Sequence, residues 1–246
     1  MVTFQQCDLS KYDTIAREIG IDLLRENFPK ECFTSVAAYN DLCLSLDLYQ
    51  RFAEYEYMLI CQLDVWMFRD EIINWCKRGF DYIGAPIYYP YSEKRYTQKF
   101  RGIGNGGLCL RRIAYCISLL ASEKNKPLLT PRTILEMYWN FFLYNEAFTN
   151  SWAKRLSIIP IALGKILGYK NSFNYFASQH VNEDLLLGTW AEQSGYYPCH
   201  LPDELTAAEF SIEVNAEWLL ERLQGKTPVG VHAYEKWNNP LVPQSE

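Results

Sequence analysis

Tyr57-Met58-Leu59-Ile60-Cys61-Gln62-Leu63-Asp64, followed by Val65-Trp66-Met67-Phe68, is an almost wholly apolar strand that stops on a carboxylate. A strand apolar on both faces belongs in the middle of a parallel sheet covered by helices, and open sheets of that kind bind ligands beyond the carboxyl ends of their strands. That reading puts Asp64 at a ligand crevice. Nothing local in the sequence neutralises it, and an unpaired buried carboxylate is costly unless a cation or hydrogen-bond donors compensate. A divalent metal is one natural partner. A strand-end Asp that caps the next turn explains the same residue equally well.

Around this strand the chain reads as α/β. Ser10 to Arg25 predicts a helix, with Tyr12, Ile15, Ile19 and Leu23 at helical spacing, and Ile19, Ile21, Leu23 and Leu24 equally suit the start of a short strand. Tyr39 to Phe52 predicts another, packed on the sheet. Arg69 to Arg78 predicts a third, closed by Gly79, before a strand over Phe80 to Ala85. Pro86 to Phe100, rich in tyrosine and holding Pro86 and Pro90, reads as an irregular loop of a length that is often functional. Leu108 to Leu110 reads as a strand and Ile113 to Glu123 as a helix. Val181 to Ala191 opens as a helix with Asn182 as N-cap, and Pro228 to Ala233 is a late strand ending near His232.

Composition narrows the function classes. The 246 residues suit one domain, numbered 1–246, with a substantial core. Lys and Arg total 24 against 29 for Asp and Glu, a formal charge of −5, which argues against nucleic acid as a partner. The eight cysteines form no CxxC pair and several lie in apolar runs, as expected of a reduced compartment. With no signal-peptide pattern and no run long enough to span a bilayer, the expectation is a soluble, cytoplasmic protein. From Trp139 to Phe176 the chain turns aromatic and mildly basic, through Lys154, Arg155, Lys165 and Lys170. A helix packed on the sheet explains this best, and the competing reading is a basic amphipathic helix in peripheral contact with an anionic membrane. The 18 tyrosines and 7 tryptophans are enough to supply sugar-stacking platforms, although core filling is the commoner use of such rings.

Four remote segments offer polar groups at loops or element ends. They are Asp64, the turn Gly102-Ile103-Gly104-Asn105-Gly106-Gly107, the pair Glu183-Asp184, and His232 with Glu235 and Lys236. Four glycines in six residues let backbone approach a ligand or take positive φ, more than a simple hairpin needs. Glu183 and Asp184 in a first helical turn also have a plain electrostatic explanation, since acids there complement the helix dipole.

The text YMLICQLDVWMFRDEIINWCKRGFDYIGAPIY, GIGNGGLCLRR, VNEDLLLG and PVGVHAYEKW, spread over about Ser35 to Trp237, resembles glycosyltransferases of the A-type (GT-A) nucleotide-sugar fold. More closely it resembles a glycosyltransferase-like bacterial family known by its domain of unknown function, found among surface-polysaccharide genes. The resemblance implies a mostly parallel central sheet flanked by helices, a nucleotide-sugar donor, a saccharide or lipid-linked acceptor, and a Mn2+ or Mg2+ ion. It implies Asp64 as metal ligand with His232 assisting, and Asp184, ahead of Glu183, as the base for the acceptor hydroxyl. Gln62, Gly104, Asn105, Gly106, Gly107 and Lys236 then lie near donor or acceptor. Gln62-Leu63-Asp64 departs from the usual two-aspartate motif, and the chain enters the fold about one strand and one helix late, which puts activity of this chain in question. Two rival readings follow: a metal-dependent phospho- or nucleotidyltransferase, and a degenerate domain that binds carbohydrate or a partner without catalysis.

Overall fold

The computed structural model describes residues 1–92, 95–122, 124–144 and 152–242. It is a mixed α/β fold. β1 (Val2–Thr3) and β2 (Glu26–Asn27) form a small parallel pair around α1 (Ser10–Glu18). α2 (Val36–Cys43) and α3 (Leu46–Gln50) then lead into β3 (Tyr57–Cys61). The single helix expected over Tyr39 to Phe52 is therefore two. The Ser45 hydroxyl accepts the Leu48 amide at 3.2 Å and starts a new helix there. A serine that offers the backbone a cap competes with helix continuation.

β4 (Val65–Met67), α4 (Ile72–Cys76) and β5 (Tyr82–Ile83) follow. The irregular loop expected over Pro86 to Phe100 is instead an antiparallel hairpin, β6 (Ala85–Ser92) with β7 (Arg95–Gly104), paired from Ala85↔Gly104 to Ser92↔Arg95. A two-stranded ribbon tolerates Pro86 and Pro90 because a proline's missing N–H can face an open side. Register shifts near Tyr88 and Pro90 absorb the residues that do not pair. β8 (Leu108–Arg112) and α5 (Ile113–Ala121) come next, and Glu123, the expected end of that helix, lies outside the described residues.

The remaining helices are α6 (Pro131–Tyr144), α7 (Trp152–Ile166), α8 (Phe173–Ser178), α9 (Glu183–Leu187), α10 (Thr189–Ser194), α11 (Glu204–Phe210) and α12 (Ala216–Arg222). β9 (Ser211–Ile212) precedes α12, and β10 (Gly230–His232) follows it. The helix expected from Val181 to Ala191 breaks at Gly188, where a side chain would press on the carbonyls of Asp184 and Ile103.

The mostly parallel central sheet is corrected by the pairing. Among the described strands, β1–β2 and β9–β10 are parallel, whereas β3–β8, β5–β8, β4–β10 and β6–β7 are antiparallel. β3 is an outer strand of the sheet β3–β8–β5 rather than a central one. Met58 and Ile60 pack toward the core, while Leu59 and Cys61 on the other face are exposed. The apolar run misled because composition reports how greasy a strand is, not how many neighbours it has.

The main core gathers Leu42, Leu48 and Tyr49 from the early helices, Cys116 and Leu119 of α5, and Leu186 and Leu187 of α9. Each large aliphatic side chain buried there contributes roughly 1.5–3 kcal/mol. Buried tyrosines follow the commoner use of aromatic rings, with hydroxyls that find partners. Tyr49 donates to Cys43 O at 2.9 Å, Tyr115 to Leu187 O at 2.6 Å, and Tyr88 to Glu204 at 2.8 Å. All eight cysteines are free thiols.

Candidate functional site

Three strands end at one place. β3 runs antiparallel to β8 up to Cys61↔Leu108, and the Gln62 amide extends this ladder by donating to Gly107 O at 2.9 Å. The chain then turns through Leu63 into β4, which pairs with β10 in the register Val65↔His232. The Ala233 amide donates to Asp64 O at 3.0 Å and fixes that junction. β9 runs parallel to β10, so its C-terminal neighbour Glu213 arrives on the same side as His232.

His232 is the hub. Its Nε2 lies 3.3 Å from Asp64 Oδ1 and 3.2 Å from Gln62 Oε1, and its Nδ1 lies 3.7 Å from Glu213 Oε1. That last separation is a charge contact rather than a hydrogen bond, and Nδ1 is buried with no hydrogen-bond partner among the described residues. Burial opposes the charged imidazolium, but the carboxylates of Glu213 and Asp64 outweigh it and raise the pKa above the usual histidine value. Lys236, exposed on the segment after β10, pulls in the opposite direction. Asp64 itself is 57 % exposed, so the deep burial expected of it does not hold, and water shares its solvation with His232.

The glycine turn serves as the seat for this cluster. A side chain at Gly107 would overlap the His232 imidazole, one at Gly106 would lie 2.5 Å from Glu183 Oε1, and one at Gly104 would lie 2.7 Å from Asp184 Oδ2. Each of the three glycines makes room for one of the polar side chains singled out from the sequence. Between them Asn105 takes a left-handed backbone, φ 78°, and is buried. Its side-chain oxygen accepts the Gly107 and Leu108 amides at 3.0 and 3.3 Å, and its amide nitrogen donates to Ser211 at 3.2 Å. The backbone N–H of Asn105 goes to Asp184 Oδ2 at 2.7 Å. Asn105 and the amides of residues 105 and 107 therefore hold the turn together, where the sequence suggested contacts to a sugar.

Glu183 and Asp184, both buried, differ sharply. Glu183 accepts from Arg111 at 2.7 Å, and Arg111, fully buried on β8, also donates to the Tyr49 hydroxyl at 3.0 Å. This carboxylate is tied into the framework beneath the turn. Asp184 accepts the Asn105 and Leu185 amides, the latter at 2.8 Å, so it caps its own helix while the expected N-cap Asn182 makes no side-chain bond. Burial, together with the neighbouring Glu183 charge, pushes the Asp184 carboxyl up to about 6. Each of its oxygens retains a lone pair beyond the backbone bond.

Sequence reasoning missed Glu213, Arg111 and Arg101. An arginine inside the apolar strand Leu108-Cys109-Leu110-Arg111 signals a buried partner, and an acid just after Ser211-Ile212 signals a strand end like that of Asp64. Arg101 on β7 is mostly buried, with its guanidinium 5.8 Å from the ring centres of both Tyr89 and Trp190. Burial lowers its pKa, with Tyr89 and Asp184 opposing.

The oxygen donors of Asp64 and Gln62 stand on one side of the imidazole only. Ligands at right angles on metal bonds of about 2.0–2.2 Å lie roughly 3 Å apart, and Nε2 stands at about such a distance from Asp64 Oδ1 and from Gln62 Oε1. Glu213 faces the other ring nitrogen and orients the ring instead. Among the described residues no three His, Cys, Asp or Glu side chains are grouped to hold a metal, so an ion here would draw its remaining ligands from substrate and water. Imidazole beside oxygen donors suits manganese better than magnesium.

No curated protein and no solved structure matches the chain. Residues 22–232 match the family described as Protein of unknown function (DUF5672), which is most of the chain, and the chain belongs to that family.

Proposed function

We propose that the protein is a metal-dependent glycosyltransferase that moves a sugar from a nucleotide-sugar donor to a hydroxyl of a saccharide or lipid-linked acceptor. The observation that carries this reading is the convergence of Gln62, Asp64 and His232 beside a glycine turn whose other face seats Asp184. The sequence resemblance to A-type nucleotide-sugar transferases supports the same chemistry, while the mostly antiparallel strand pairing sets the sheet apart from the parallel one that the resemblance implies.

In this reading Asp64, His232 and Gln62 would hold the cation at the donor end of the site. A bound Mn2+ or Mg2+ stabilises the negative charge that the leaving nucleoside diphosphate gains. The acceptor oxygen forms a bond to the anomeric carbon as the bond from that carbon to the diphosphate oxygen breaks, and the electron pair leaves with the diphosphate. Asp184 takes the acceptor proton, its pKa of about 6 placing it close to the range where a general base works well near neutrality. Glu183 and Arg111 keep the turn in place. Arg101 supplies positive charge near Asp184.

The test is a thermal-shift series with Mn2+ and a panel of nucleoside diphosphates, followed by hydrolysis of a nucleotide sugar. Stabilisation that requires both metal and nucleotide, together with hydrolysis abolished in Asp64→Asn, supports the transferase. Absence of any nucleotide effect favours the binding domain without catalysis, and phosphoryl transfer to an acceptor favours the phosphotransferase.

A further inference from the structure

α7 presents its apolar side to solvent. Leu156, Ile159, Leu163 and, just past the helix end, Leu167 recur at helical spacing and are between 53 % and 86 % exposed. Opposite them Ile158, Ala162 and Lys165 are buried. A surface helix normally arranges these faces the other way, polar outward. α6, packed against α7, repeats the inversion with Leu135, Trp139 and Leu143, each between 43 % and 60 % exposed. Single exposed apolar residues are ordinary, but two adjacent helices that each carry a continuous stripe are a surface with an occupant.

Charge identifies that occupant. From Ala147 to Asn182 the chain contains no Asp or Glu, yet it holds Lys154, Arg155, Lys165 and Lys170, within a protein whose formal charge is −5. Lys165 is taken up internally, its ammonium on Lys170 O at 2.7 Å, whereas Lys170 and Arg132 of α6 are exposed. The one acid of α6, Glu136, is also exposed and is paired with Lys99 at 3.4 Å. α1 is the control within the same molecule. It also exposes Ile15 and, just past its end, Ile19, but Lys11, Asp13, Arg17 and Glu18 alternate in sign there, so nothing selects a partner.

We propose that the α6–α7 pair is a docking surface for bilayers containing anionic phospholipid. The apolar stripes enter the boundary between headgroups and acyl chains, and cations such as Lys170 and Arg132 meet the headgroup phosphates. The contact is peripheral: no helix among the described residues is long and apolar enough to cross a membrane. It is independent of the chemistry at His232.

Co-sedimentation of the full chain with vesicles tests the proposal, comparing phosphatidylglycerol mixed into phosphatidylcholine with phosphatidylcholine alone. The native chain should bind the anionic vesicles, bind the neutral ones far less, and release as salt is raised. The double variant Leu156→Glu/Leu163→Glu should keep its melting temperature, because both side chains are in water already, and lose binding by at least about tenfold. Absence of binding to anionic vesicles overturns the proposal, as does a variant that binds like the native chain. So does light scattering that shows a dimer split by the variant while vesicle binding stays the same, since the stripe would then belong to a second copy.

Discussion

Glu183 Oε1 lies 2.7 Å from the Arg111 guanidinium, with both side chains shut away from water. Removing one member of a buried pair leaves the other charge uncompensated, at about 3–5 kcal/mol. Glu183→Ala should therefore lower stability by about that amount in urea unfolding, and replacing both members with apolar residues of matching size should restore much of it. A loss of turnover without loss of stability in Glu183→Gln would instead make this carboxylate the base.

Gly107 bears directly on the hub. The side chain of Gly107→Ala would overlap the imidazole of His232, and overpacking of this kind costs about 1–3 kcal/mol. The chain should still fold, with Mn2+ affinity measured by calorimetry markedly reduced because Nε2 no longer points at Asp64.

Glu213 acts from the far side of the same ring. Carboxylates that orient a ligating histidine typically contribute about 10–100-fold to metal affinity. Glu213→Gln should weaken Mn2+ binding within that range while Asp64→Ala weakens it further. Equal affinity in Glu213→Gln and the native chain would show that the 3.7 Å contact does not position the ring.

The raised pKa of His232 sets a pH signature. Since the folded state holds the imidazole proton more tightly than the unfolded chain, the stabilisation is full below about 6.5, the ordinary histidine value. It is lost as pH rises through the higher folded-state value. A metal needs the neutral ring, so Mn2+ affinity should rise over that same interval. Stability curves of the native chain and His232→Gln should diverge toward low pH and converge toward high pH.

Asp184 predicts an acid limb in catalysis. With its carboxyl pushed up to about 6 by burial and by Glu183, turnover should fall as pH drops through that value. Transfer rates measured from pH 5 to about 8 should show the limb, and Asp184→Asn should remove both limb and turnover.

The pieces of the site were readable one at a time. Asp64 announces itself as a carboxylate closing an apolar strand, and the glycines announce a close approach. What they approach was hidden, because Gly104, Gly106 and Gly107 seat side chains of the protein's own rather than a ligand. The antiparallel pairing of β3 was hidden for a related reason. Leu59 and Cys61 look like core residues in the sequence, and only the sheet order makes β3 an outer strand. The Pro86 and Pro90 hairpin defeats local propensity because its partner strand tolerates a missing donor. Glu213 carries no pattern of its own until β9 and β10 lie side by side.

The contact between Gln62 and His232 joins positions 170 residues apart, and it depends on the three-residue strand β10. Such long-range closure is slow and comes late in folding, after the local helices have formed. Under the proposed function, metal binding at His232 is thus withheld from partly folded chains. Fraying of β10 alone, with the rest of the fold intact, would separate His232 from Gln62 and Asp64.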